Sequence, residues 1–395
     1  MFGRIRSPST FCFGVPVMNR IGICTSITLL FVARVAWGQV QYTVTDLGAG
    51  CAYGINNLGQ VVGENGLGHA FLYSSGTMQD LGLLPGYTES IAYDINNRGQ
   101  VVGCGDRLGG YSVGFLYSGG SMQTLGYLGS IQCCRALGIS DSGQIVGYSQ
   151  VGGGSYSYLE GFLYSGGTMQ GIAGNDSVAY AVNNNGQIVG HAAGTWYAFL
   201  DSGGTIQNLG TLPGYANSEA FDINDNGQVV GESFGSNGYG HAFLYSGGTM
   251  HDLGTLAGYP YSSANAINNA GEIVGWVANA SYQADSVLYS NGAIVDLNNL
   301  LAAESGWTLQ GVSDINDNGQ ICGYGINPSG QHDAVLLTPT PEPSTFALLG
   351  AATAAMLAYA WRRRGRLASH AFVSGDAQAT LSFPSRLPEA TRRAA

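Results

Sequence analysis

Apolar residues along this chain come in runs of three or four, broken by glycine, asparagine and serine, and the breaks recur in a fixed order. One signature reads Ile-Asn-x-x-Gly-Gln-Val-Val-Gly. Its Gly-Gln step (once Gly-Glu) falls at Gly59, Gly99, Gly143, Gly186, Gly227, Gly271 and Gly319, 40 to 48 residues apart. A second, Phe-Leu-Tyr-Ser, starts at Phe71, Phe115, Phe162, Phe199, Phe243, Val287 and Val335. A third, Met-x-Asp-Leu-Gly, starts at Val44, Met78, Met122, Met169, Ile206, Met250 and Ile294. Each copy predicts four short strands; in the fifth they are Glu219 to Asn224, Gln228 to Glu232, His241 to Ser246 and Thr249 to Gly254. Asn224-Asp225-Asn226-Gly227 and Ser246-Gly247-Gly248 are hairpin turns, because Asn tolerates and Gly readily adopts positive φ. Successive apolar positions such as Ala242, Phe243 and Leu244 bury both sheet faces, which stacking of one small sheet on the next would satisfy.

A four-stranded unit of this length, repeated, is the sequence mark of a β-propeller. The chain opens on an orphan third signature, Tyr42 to Gly48, and closes on an orphan second signature, Asp333 to Leu337. Joining them completes a seventh unit. The expected fold class is therefore all-β, a seven-bladed β-propeller over 39–338 closed by its N-terminal strand. The alternative is an open β-solenoid, which would need polar capping repeats at each end.

Both termini read as targeting segments. Met18-Asn19-Arg20, the apolar run Ile21 to Ala33 and the small residues of Ala36-Trp37-Gly38 form a signal peptide over 1–38, with Met18 an alternative start. At the other end Pro341-Glu342-Pro343 precedes an apolar helix over 345–361 and the cluster Arg362, Arg363, Arg364. That helix has the minimum length for a transmembrane span, and its arginines would stay cytoplasmic. The stretch 339–366 resembles the PEP-CTERM sorting signal. The resemblance implies an exosortase-like processing protease as partner, a transient stay in the inner membrane, and delivery to the cell surface or beyond. Residues 367–395 form a tail that departs from that pattern.

Gly-His-Ala-Phe-Leu-Tyr-Ser at 68–74 and 240–246, with the flanking signatures, resembles the HAF repeat of bacterial extracellular proteins. This resemblance implies an extracellular location and no particular chemistry. Charge argues against nucleic acid as a partner: from Gln39 to Thr340, 22 acidic residues face Arg98, Arg107 and Arg135, a balance of −19, and the chain has no lysine. Cys51, Cys104, Cys133, Cys134 and Cys322 lack CxxC spacing, so they suggest at most one disulfide.

Candidate chemistry is sparse. Asp222, Asn224 and Asn226, and likewise Asp314, Asn316 and Asn318, match the first half of a calcium loop. Ser233 and Gly325 stand where its twelfth-position carboxylate belongs, so a hairpin turn explains the same residues and no cofactor is expected. His69 and His241 share one repeat position and suit hydrogen bonding within the unit. His191, His251 and His332 have no nucleophile motif beside them. Two segments outside the repeat pattern, Tyr148 to Glu160 and Asn298 to Gly311 with Trp307, read as loops whose aromatics could stack on sugars. The resulting expectation is a non-catalytic envelope or matrix protein binding exopolysaccharide or an envelope protein. The alternative is an extracellular propeller enzyme with its site in the axial channel, which would need unique polar residues converging at one channel mouth.

Overall fold

A computed structural model describes residues 40–340, except 108, 154–155, 193–195 and 303, together with a helix over 352–361. The signal peptide, Pro341-Glu342-Pro343, Arg362 to Arg364 and the 367–395 tail lie outside the described residues.

The chain is all-β. Five sheets have four antiparallel strands each, and a sixth has seven. In the fifth repeat the strands are Asn217–Ile223, Val229–Phe234, Gly240–Ser246 and Thr249–Asp252, within two residues of the sequence expectation. The seven-stranded sheet arises because Gln41–Ile55 serves two units. Its first half pairs with His332–Thr340, from Gln41 opposite Thr340 to Ala49 opposite Asp333, and its second half pairs with Val61–Asn65. The orphan first and last signatures are thus hydrogen-bonded neighbours.

The repeated residues explain the repeated geometry. Phe71, Phe115, Phe162, Phe199 and Phe243 are all fully buried, as are Val287 and Val335 at the same position. The core is divided into seven apolar clusters, such as Val230 and Ala242 with Ala264, Ile267 and Val287 of the following unit. Another joins Cys322, Ala334 and Leu336 of the last unit to Leu47, Ala52 and Phe71 near the start. Each first strand carries a bulge, in the fifth unit between Ala220 and Asp222, which bends the strand and re-aims a side chain. The bulge accounts for the last glycine of Val-Val-Gly: a Cβ on Gly231 would be driven into the backbone carbonyl of Glu219.

The hairpin turns between first and second strands are tied to one another. The Asn of each Ile-Asn pair is buried, and its amide reaches the next turn: Asn224 Nδ2 donates to the Asn268 carbonyl at 3.0 Å, and Asn316 Nδ2 to the Asn56 carbonyl at 2.9 Å. The following residue adds a second belt. The backbone N–H of each of Asn57, Asn97, Asp141, Asn184, Asp225, Asn269 and Asp317 donates to the side-chain oxygen of the next, and Asp317 returns to Asn57, all at 2.8–2.9 Å.

Two expectations need correction. Tyr148 to Glu160 is not a loop, because strands Ile145–Gly153 and Tyr156–Ser165 stay paired out to Gly153 opposite Tyr156. Trp307 is no exposed platform, since it packs against the cluster containing Leu297, Leu300 and Leu309. All five described cysteines are free. The tail helix is described over 352–361, ten residues of the expected 345–361. Among the described residues no helix is long and apolar enough to cross a membrane.

Candidate ligand-binding site

The two ends of the strands differ in kind. At the turn end, the turns of all seven repeats, five of them Ile-Asn-Asn/Asp, the third Ile139-Ser140-Asp141 and the fourth Val182-Asn183-Asn184, line one polar cavity of about 150 Å³. The calcium candidates sit in or beside these turns, with their polar atoms engaged by protein. Asp222 accepts from Ile223 N at 2.8 Å and from Ile267 N of the next unit at 2.8 Å. Asp314 accepts in the same way from Ile315 N and Ile55 N. Asn224 and Asn316 accept two backbone N–H groups each within their own turns. Asn226 and Asn318 donate outward, to the carbonyls of Asn269 and Asn57. These residues serve as clips between units. Burial pushes the carboxyls of Asp94 and Asp222 up to about 6 and about 7, and burial first, then the charges of Asp222 and Asp94, raises Asp314 well above the usual carboxylate range. Among the described residues no cluster of His, Cys, Asp and Glu could hold a metal ion.

The opposite end is built from residues that do not repeat. The position after the last glycine of Val-Val-Gly is Glu64, Cys104, Tyr148, His191, Glu232, Trp276 and Tyr324 in the seven units. The bulged position of the first strand is equally varied, with Tyr53, Tyr93, Leu137, Tyr180, Phe221, Asn265 and Ser313. Neighbouring members touch. Tyr53 meets Tyr93 at 5.9 Å between ring centroids, and Tyr180 meets Phe221 edge-on at 5.5 Å. Arg135 donates to Tyr93 Oη at 3.0 Å and to Asp106 at 3.2 Å. Burial raises the thiol of Cys104 to about 12, so it is an unreactive thiol within this network.

Two aromatic pockets open here. The first, about 590 Å³, is lined by Tyr148, Leu159, Asp176, Val178, Tyr180, His191 and Trp196. Half-exposed Trp196 stacks on the His191 ring at 4.8 Å with 8° between planes. Trp196 has a φ of 24°, a costly conformation for a bulky residue. Its carbonyl is held by Ser218 N at 2.9 Å. His191 is 7% exposed, and its Nδ1 has no hydrogen-bond partner. Glu219 Oε2 lies 3.8 Å from that nitrogen, too far for a hydrogen bond. Burial lowers His191 to about 4, so the imidazole is neutral near pH 7. Burial raises Glu219 as well, and the same cause, with Glu219 nearby, puts Glu232 at about 7. The second pocket, about 510 Å³, includes Tyr239, Trp276, Tyr282 and Tyr324. In it Tyr239 and Tyr282 stack at 4.4 Å.

His69 and His241 pair with Asp80 and Asp252 at 2.9 Å, linking the second signature to the third within one unit. Sequence reading set His191 aside for want of a nucleophile motif and passed over Tyr180, Glu219, Trp196 and Trp276. For Tyr180, His191 and Trp276 the signal was a repeat position whose residue varies between copies.

Residues 339–364 match the PEP-CTERM protein-sorting motif. The chain therefore carries the signal for exosortase-type sorting of an exported protein, with surface or extracellular placement. No curated protein matches the chain in sequence. Among solved structures it is similar to a puromycin-hydrolyzing peptidase of Mycobacterium tuberculosis, at 12% identity and a TM-score of 0.43 over 68% of this chain; it spans about half of that protein, 47%. It is also similar to a gluconolactonase of Xanthomonas campestris, at 10% identity and a TM-score of 0.41 over 77% of this chain and 91% of that one. A third likeness is the six-bladed β-propeller lectin of Aleuria aurantia, at 12% identity and a TM-score of 0.33 over 65% and 96%. With every score below 0.5, these likenesses assign neither blade number nor activity.

Proposed function

We propose that the chain is a non-catalytic envelope or matrix protein. Its HAF-like repeats form a seven-bladed propeller closed by the strand at Gln41, and it binds polysaccharide at the strand ends opposite the Asn/Asp belt. The belt that returns from Asp317 to Asn57 and the pairing of Gln41–Ile55 with His332–Thr340 support ring closure. One observation carries the function: of the varied repeat-equivalent positions, Tyr148 and His191 line one aromatic pocket and Trp276 and Tyr324 the other, while the turn end keeps its repeat. A fold that needed this position for packing would repeat it, as it repeats Phe71 and Phe243. Sugars suit stacked, half-exposed aromatics flanked by hydrogen-bonding groups. An exosortase-like protease would act at Pro341-Glu342-Pro343 during a transient stay in the inner membrane.

The contacts of His191 with Tyr180 and Glu219 favour a second reading, an enzyme with its site at this mouth. Incubating the exported chain with exopolysaccharide from its own producer separates the two. Retention without change in polymer length, lost in a Trp196→Ala, Trp276→Ala double variant, supports binding. Depolymerisation abolished by Glu219→Gln would establish the enzyme instead.

A further inference from the structure

The geometry points to the pocket between Tyr148 and Trp196 as a subsite for one neutral pyranose ring, a reading that rests on the polysaccharide function proposed above. Three features select that chemistry. Tyr148 and half-exposed Trp196 line the pocket with aromatic surface, and the apolar C–H face of a pyranose covers such surface without stranding a polar group. Buried His191 stacks against the Trp196 indole at 4.8 Å and holds it in the pocket wall.

The third feature is charge. Asp176 stands exposed at the rim and Glu219 lies behind His191, while among the described residues no Lys or Arg lines the pocket. Arg135, opposite Tyr148 in strand register, is engaged by Asp106 and Tyr93. A uronate or sulfated sugar would bring its anion toward carboxylates with no counter-charge, which disfavours it. Asp176 instead offers two acceptor oxygens to a vicinal diol.

The test uses the full-length chain in detergent, with dextran, mannan and a neutral galactan as neutral probes and polygalacturonate as the anionic one, followed by calorimetric titration. At least one neutral polymer should bind, with polygalacturonate about tenfold weaker or more. Trp196→Ala should weaken neutral binding by about tenfold or more, the size of one lost hot-spot contact. His191→Ala, which removes the ring that supports the indole, should weaken it too, whereas His191→Phe, which keeps a stacking ring, should retain most of it. Preference for polygalacturonate overturns the assignment. So does neutral binding that survives Trp196→Ala and His191→Ala but is lost with Trp276→Ala; the carbohydrate reading would then stand with its site elsewhere. If no polymer of either charge binds, both readings fall.

Discussion

Ring closure can be probed with two side chains that lie on one strand and in separate apolar clusters. Tyr42 is 3% exposed and packs with Leu297, Leu300 and Leu337. Leu47 is 6% exposed and packs with Ala52, Phe71 and Leu336. Truncating a buried aromatic to alanine costs about 3–5 kcal/mol and a buried leucine about 2–5 kcal/mol. Sites without shared partners add, so Tyr42→Ala with Leu47→Ala should cost about 5–10 kcal/mol. Domains have about 5–15 kcal/mol in total, so the double variant should be largely unfolded or melt far below the parent. Urea unfolding followed by tyrosine and tryptophan fluorescence measures the loss. A chain beginning at Gly50 should behave similarly, because it leaves the edge of His332–Thr340 unpaired and prone to association. Adding a peptide spanning Gln41 to Ala49 should restore part of the lost stability. If the double variant loses less than about 1 kcal/mol, below the range for either site alone, and the truncated chain melts with the parent, the first strand does not close the fold.

Gly231→Ala should destabilise by about 1–3 kcal/mol or more, since its Cβ meets the Glu219 carbonyl, whereas Gly153→Ala, with open space around it, should melt like the parent. Stability should rise as pH falls from 8 to 5. Asp94, Asp222 and Glu232 are raised in the fold, so their contribution is full below the unfolded values near 4 and is lost as pH climbs through about 6 to 7. His191, lowered to about 4, works the other way and withdraws stability as pH drops below 6.5. The acids outnumber it, so a lower melting temperature at pH 5 than at pH 8 would contradict their burial, and Asp222→Asn should flatten the profile. Replacing Pro341-Glu342-Pro343 by alanines should hold the chain in the inner-membrane fraction at its longer length, and intact mass reads the outcome. A surface-exposed form still carrying residues 367–395 would contradict processing at that motif. Chelator should leave the melting temperature unchanged, because Asp222 and Asp314 are occupied by backbone N–H groups; a drop restored by calcium would show otherwise.

Much of the fold is legible in the sequence because its cause is local and repeated. Gly247 and Gly248, at φ of 59° and 84°, make the hairpin that Ser-Gly-Gly predicts. The Phe of each Phe-Leu-Tyr-Ser marks a buried position that every unit must fill. The candidate site was not legible in the same way, since a search for what recurs discards the position after Val-Val-Gly. His191 lacks any sequence-adjacent partner; Tyr180 lies 11 residues before it and Glu219 28 residues after, and a bulge and a neighbouring unit bring them together. Tyr148 to Glu160 looked like a loop because glycines mark turns, yet Gly152 and Gly153 continue a paired strand.

The belt of seven turns works as a hoop, each link holding its neighbour by a main-chain amide and a short side chain. In the closed ring proposed above, a load on one link passes to all of them, so single substitutions there should be felt around the whole circumference, and a unit could not be inserted or deleted without re-cutting the hoop. The far rim carries no such obligation. At the partly buried positions 64, 148, 276 and 324 the residue differs from copy to copy without entering that hoop, so the frame does not dictate what stands there.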